Sequence, residues 1–185
     1  MYEYGGFYME YILNTPYPSI DKLDVNVTYG QIMLSNLGGL HSEMNTVALY
    51  FYNSVILEQL WPDLSIAMKQ MSQTEMKHLD IIARMCSRLG VDPRLWDCQN
   101  DFLEYWSPGY NVYPRQIHSL LENAIIQEQN TITTHQYQIT CINDPLLQKI
   151  LKRIIMDDQL HIEVFENFLK QHYQQKKHNL SKQFK

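Results

Sequence analysis

Residues 71–89 read MSQTEMKHLDIIARMCSRL, and Met71, Glu75, His78, Ile82, Met85 and Leu89 recur through them at three- and four-residue steps. That spacing places them on one face of an α-helix. The face is apolar except at its middle, where Glu75 and His78 stand one turn apart and can address the same point. Residues 151–168, LKRIIMDDQLHIEVFENF, repeat the arrangement: Leu151, Ile154, Asp158, His161, Phe165 and Phe168 form a stripe broken by a carboxylate and an imidazole. With 20 acidic residues and 7 histidines in 185 positions, chance alone supplies rather less than one acid-x-x-His triplet, so the triplets by themselves are weak signals. Their placement is stronger, because an uncompensated carboxylate on a core-facing stripe is costly to bury.

Upstream of each triplet, at nearly equal spacing, a glutamate interrupts a further apolar stripe. Leu40, Glu43, Val47 and Tyr50 form one, and Leu121, Ile125, Glu128 and Ile132 the other. The layout Glu43, Glu75-x-x-His78 is thus written twice, the second time as Glu128, Asp158-x-x-His161. Four helices presenting four carboxylates and two imidazoles inward supply six ligands, enough for two metal ions inside a four-helix bundle.

Helix signals place the bundle at 31–173. The first helix is expected over 31–60 and contains Gly38-Gly39, a pair that marks either a close backbone approach or a kink. Pro62 suits the first turn of a second helix over 63–89, and Gly90 suits its left-handed cap. The connection 91–113 is long and aromatic, with Trp96, Phe102, Tyr105, Trp106, Tyr110 and Tyr113. Extended, it reaches at most about 80 Å, against roughly 40 Å for the length of the second helix. It can therefore cross the bundle and start the third helix (114–141) parallel to the second. Asn143-Asp144-Pro145 opens the fourth, expected to end near Tyr173. The fold class that follows is all-α: two antiparallel helix hairpins joined by a long crossover. Residues 1–30, with Gly5-Gly6, Pro16, Pro18 and six tyrosines, read as an extended aromatic arm that packs on something. Residues 174–185 read as a polar, frayed tail.

A formal net charge of −5 argues against a broad nucleic-acid footprint. No apolar run is long enough to span a bilayer, so no membrane partner is expected. Cys86, Cys98 and Cys141 form no C-x-x-C pair and suggest a reducing, cytoplasmic setting. Aromatic surface on the arm and crossover points to a homodimer or larger homo-oligomer.

From Glu43, Glu75-x-x-His78, Glu128 and Asp157-Asp158-x-x-His161, over residues 31–173, the chain resembles the ferritin-like di-metal carboxylate proteins, in the branch of rubrerythrins and dimanganese catalases. The resemblance implies two iron or two manganese ions per chain, bridged by carboxylates and a water or hydroxide. It implies Glu43 and Glu128 as terminal ligands, Glu75 and Asp158 as bridges, and His78 and His161 as one imidazole for each ion. It also makes Asp157 a hydrogen-bond partner of a ligand histidine. Two departures stand out. Asp158 is a methylene shorter than the family's usual glutamate, and so binds one ion only or widens the pair. Thr74 stands where an acid would orient His78.

Hard-to-borderline ligands without thiolate suit iron or manganese, and four carboxylates match two divalent ions. Tyr50, a heptad after Glu43, faces the site in one reading, as a hydrogen-bond or electron donor, and is plain core in the other. His135, a heptad after Glu128, is a candidate for a place beside the ligands or along a channel. Glu122 is the rival to Glu128; His41 lies on another face; His118, His172, His178, Glu163 and Glu166 read as surface. The function implied is an oxidoreductase acting on hydrogen peroxide or dioxygen. As a peroxidase it requires an external electron donor such as a rubredoxin; as a catalase it requires none. A ferroxidase or iron-handling protein, or a structural protein with a vestigial site, are the alternatives.

Overall fold

The computed structural model describes residues 11–99 and 102–183, and side chains within 11–98 and 102–174. Its helices are α1 (Val27–Gly38), α2 (Glu43–Leu57), α3 (Pro62–Arg88), α4 (Ile117–Cys141) and α5 (Pro145–Gln183). α2 packs along α3, and α4 along α5. The crossover between the pairs folds a short antiparallel hairpin, β1 (Trp96–Gln99) and β2 (Phe102–Tyr105), with Trp96 opposite Tyr105. A 3-10 turn at Pro108–Tyr110 follows.

Two apolar clusters lie end to end along the bundle. One joins Met33 and Leu37 of α1 to Ile82 and Met85 of α3 and to Ile150 and Ile154 of α5. The other joins Leu49 and Leu57 of α2, Met68 and Met71 of α3, Leu120 and Leu121 of α4, and Phe165 and Phe168 of α5. α3 runs from the second cluster into the first, α4 runs the same way, and α5 runs back. The crossover therefore does start α4 parallel to α3. Both triplets fall between the clusters, at mid-bundle.

Several boundaries differ from the sequence expectations. The helix expected over 31–60 is two, α1 and α2, broken at residues 39–42. Leu40, placed on the first stripe, lies in that break and is exposed. α1 begins at Val27, inside the segment read as an arm, with Asn26 as its cap: the side chain accepts the Tyr29 N–H at 3.0 Å. α4 begins at Ile117 rather than 114. α5 continues to Gln183, through most of the segment read as a frayed tail. The other caps are as expected. Gly90 takes φ +91 after α3, with the Val91 N–H reaching the Cys86 carbonyl at 3.0 Å. The Asp144 carboxylate accepts the N–H groups of Leu146 and Leu147 at 2.8 and 2.9 Å.

The break has a physical cause. The crossover backbone at Leu95 and Trp96 presses so close to Gly38 that a Cβ there would overlap main-chain atoms. Asn45 then ties the pieces together: its side chain donates to the Gly39 and Leu40 carbonyls and accepts Trp106 Nε1–H at 2.7 Å. Asn111 donates to the Asn45 carbonyl at 3.0 Å. Both readings of Gly38-Gly39, close approach and kink, hold at once. Gly38→Ala is expected to lower stability by about 1–3 kcal/mol, the usual cost of overpacking, because backbone cannot swing aside as a side-chain tip can. A urea titration checks it.

Candidate metal centre

Breaking the first helix makes Glu43 the opening residue of α2, where the helix dipole favours an anion. From there Glu43 faces Glu75 and His78 of α3, Glu128 and His135 of α4, and Asp158 and His161 of α5. All seven are fully buried. Two groups have ligand atoms close enough to hold one ion each: Glu43, Glu75 and His78, and Glu75, Glu128, Asp158 and His161. Glu75 belongs to both. Its Oε2 lies 3.4 Å from His78 Nδ1 and its Oε1 2.8 Å from His161 Nδ1. Asp158 Oδ1 is 3.6 Å from His78 Nδ1, as is Glu43 Oε2. The two imidazole rings stack at 6.4 Å between centroids. Glu122 is excluded: it is half-exposed and pairs with His118 at 2.9 Å on the surface. Glu163 and Glu166 are exposed, and the side chain of His178 lies outside the described residues.

The outer nitrogens decide which ring atom faces the carboxylates. His78 Nε2 lies 3.3 Å from Asp157 Oδ2 and 3.0 Å from the Tyr17 hydroxyl, which itself bonds to Asp157. A carboxylate only accepts, so this Nε2 carries the hydrogen. His161 Nε2 donates to the Tyr11 carbonyl at 2.9 Å. In the neutral rings both Nδ1 lone pairs therefore point at carboxylate oxygens. Facing lone pairs of this kind are relieved by a cation between them or by a second proton on the ring. Asp157 thus orients a histidine, and it is His78, the one that Thr74 left without an acid. Thr74 has the matching task by another route: its hydroxyl donates to the same Tyr11 carbonyl that receives His161.

Several residues at this site carry no signal in the sequence patterns. Tyr11 and Tyr17 come from the segment before α1, and a backbone carbonyl has no sequence signature. Arg153 ion-pairs with Asp157 at 2.7 Å and donates to the carbonyls of Leu13 and Thr15, strapping that segment to α5. Its position one turn before Asp157 is the only available clue. Thr46 sits 3.1 Å from Glu75 Oε2 and 2.8 Å from the Glu43 carbonyl. Tyr50 is fully buried and donates to Glu128 Oε1 at 2.6 Å, where His161 Nδ1 also lies, at 3.1 Å.

The electrostatics call for positive charge. Burial, with Glu75 alongside, pushes Glu43 up to about 8. Burial and the charges of Glu128 and Glu43 raise Asp158 well above the carboxylate range. Burial would lower His78, but Glu75, Asp157 and Glu43 outweigh it and hold the ring well above its ordinary value. His161 follows suit beside Glu128 and Glu75. Burial would likewise raise Glu75, yet the two imidazoles hold it well below its usual range.

The donor set fits a metal pair. Buried atoms without a hydrogen-bond partner include both oxygens of Glu43 and of Asp158, one each of Glu75 and Glu128, and Nδ1 of His78. These atoms belong to this cluster; His41, Ser42, Asn53, Asn111 and Arg153 hold others outside it. Unmet buried polar atoms are rare in proteins and need a reason. Four carboxylates facing two neutral imidazoles give that reason if two divalent cations complete the charge.

No protein-family model matches the chain, and no curated protein matches it in sequence. Solved structures do. A manganese catalase from Anabaena, KatB, superposes with a TM-score of 0.76 at 16% identity, over 86% of this chain and 78% of that one. A bacterioferritin from Desulfovibrio desulfuricans, described with a diiron site, gives 0.69 at 19% identity, over 84% and 85%. A dodecameric thioferritin from Bacteroides fragilis gives 0.66 at 18% identity, over 83% and 92%. These likenesses establish the ferritin-like fold.

Proposed function

We propose that this ferritin-like chain is a dinuclear iron or manganese oxidoreductase whose substrate is hydrogen peroxide or dioxygen. Glu43, Glu75, His78, Glu128, Asp158 and His161 are its ligands. The observation that carries the reading is the pair of Nδ1 lone pairs and unmet carboxylate oxygens converging in a fully buried interior. Bound there, two such ions supply paired one-electron steps, and so two-electron exchange with an oxygen substrate.

The chain's own residues do the rest. Glu75, with one oxygen toward each histidine, sets the separation of the two halves. Asp157 and the Tyr11 carbonyl hold the Nε2 protons outward and so keep both Nδ1 atoms inward. Tyr50 keeps a proton on its hydroxyl beside Glu128, because burial and the carboxylates around it raise the phenol well above its usual range. That proton stands 2.6 Å from Glu128 Oε1, beside the Glu128 half of the chamber. Tyr50→Phe removes it with little loss of volume. The expected result is a metal affinity lower by roughly 10–100-fold and a slower reaction, read by titration and by peroxide consumption.

The reading is tested by metal content of protein from unsupplemented cells, with peroxide consumption measured with and without an added reductant. Two irons or manganeses per chain with turnover support it. A need for reductant marks a peroxidase with an external donor of rubredoxin type, and no such need marks a catalase. Absence of metal after reconstitution overturns it. A second reading, ferrous-iron oxidation and storage, is favoured by the likeness to bacterioferritin, and many irons per chain in a large assembly would select it. We also propose a homo-oligomer: Phe51 and Val55 lie one turn apart and exposed on α2, and Phe102, Leu103 and Tyr105 are exposed on the hairpin. Sedimentation of the full chain checks this. Among the described residues no helix is long and apolar enough to cross a membrane.

A further inference from the structure

His135 enters the chamber from α4 and is left over by the six-ligand assignment. It stands a heptad after Glu128, as Tyr50 stands a heptad after Glu43, and each reaches across to the opposite glutamate. Tyr50 completes a hydrogen bond to Glu128 Oε1 at 2.6 Å. His135 Nε2 lies 3.4 Å from Glu43 Oε1, and neither ring nitrogen has a hydrogen-bond partner although the residue is fully buried. If its task were to position Glu43 as Tyr50 positions Glu128, that bond would be made. An imidazole buried with both nitrogens unmet is otherwise a pure cost.

The second observation is the inequality of the two halves. One ion has four residues within reach, Glu75, Glu128, Asp158 and His161, and the other has three, Glu43, Glu75 and His78. His135 borders the poorer half, between Glu43 Oε1 and Asp158 Oδ2, the latter 3.9 Å from its Nδ1.

We propose that His135 is a third imidazole ligand, bound to the ion held by Glu43, Glu75 and His78, so that each ion has four protein donors. The inference rests on the dinuclear reading above. A neutral donor adds coordination without disturbing the match of four carboxylates to two divalent ions.

The test uses the full chain labelled with 15N-histidine, stripped of metal and titrated with manganous ion alone. Free manganese is followed by electron paramagnetic resonance, and bound imidazoles by their nitrogen couplings in pulsed spectra. Wild type is expected to take up two ions and show couplings from three imidazoles. His135→Ala should keep one ion, bind the other at least about a hundredfold more weakly, the upper end of what losing a supporting partner costs, and lose one set of couplings. Added imidazole should restore the second ion in that variant. His135→Gln, which keeps volume and polarity, carries the same comparison should the alanine variant not fold. Two ions bound with unchanged affinity and unchanged couplings in the variants overturn the assignment of His135. A wild-type chain that takes up no manganese is a different result, and overturns the dinuclear reading together with it.

Discussion

Glu75→Ala is expected to abolish uptake of both metal ions, not one. Glu75 belongs to both ligand groups, and its two oxygens face different histidines, His78 at 3.4 Å and His161 at 2.8 Å. Removing it takes a donor from each ion and the negative charge that both imidazoles share. Glu75→Gln keeps the shape but turns an NH2 group toward one of the rings, so it should retain at most one weakly held ion. Elemental analysis after manganese or iron loading reads the result directly. A calorimetric melt reads it again: wild type should gain about 2.7 kcal/mol per bound ion at an ion concentration a hundred times its dissociation constant, and Glu75→Ala should gain nothing. Glu122→Ala, on the exposed side of α4, is the control and should bind like wild type. Retention of two ions by Glu75→Ala would remove the basis for the assigned centre.

Asp157→Ala is expected to cost about 3–5 kcal/mol of stability, the usual penalty for stranding one partner of a buried ion pair. The partner is Arg153, only 4% exposed and 2.7 Å away. Asp157 also accepts the Leu13 N–H at 2.9 Å and the Tyr17 hydroxyl, so the segment before α1 loses two of its anchors with the charge. His78 loses the acceptor that holds its Nε2 proton outward, so metal affinity should fall as well, by roughly 10–100-fold. Two comparisons separate these effects. Asp157→Ala with Arg153→Met removes both charges, and should recover much of the stability but none of the metal affinity. Arg84→Ala breaks an exposed pair with Asp80 and should leave stability essentially unchanged. Urea denaturation with and without manganese measures all of them.

The parts of the centre legible in the sequence are those that helical periodicity exposes. Glu75, His78, Asp158 and His161 interrupt apolar stripes whose other members are buried, and a charge in such a place has few structural excuses. The crossover's length made α4 parallel to α3, because a chain that long can traverse the bundle. Glu128 over Glu122 came from spacing alone, and burial agrees. Periodicity failed where it was interrupted. The break between α1 and α2 depends on where the crossover backbone passes Gly38, a contact between residues far apart in sequence. The hairpin within the crossover is likewise supported by packing rather than by a strong local pattern.

What the sequence by itself determined is the four-helix plan and the inward-facing acids and imidazoles, because both follow from the 3.6-residue period and from the cost of burying charge. What only the tertiary structure decided is how those groups are held: Asp157 on His78, the Tyr11 carbonyl on His161, Arg153 strapping the segment before α1, and His135 standing unpaired beside Glu43. Each is a meeting of groups on different elements, two of them through main-chain carbonyls. Hydrogen bonds select for distance and direction in space, and neither is written in the order of the residues.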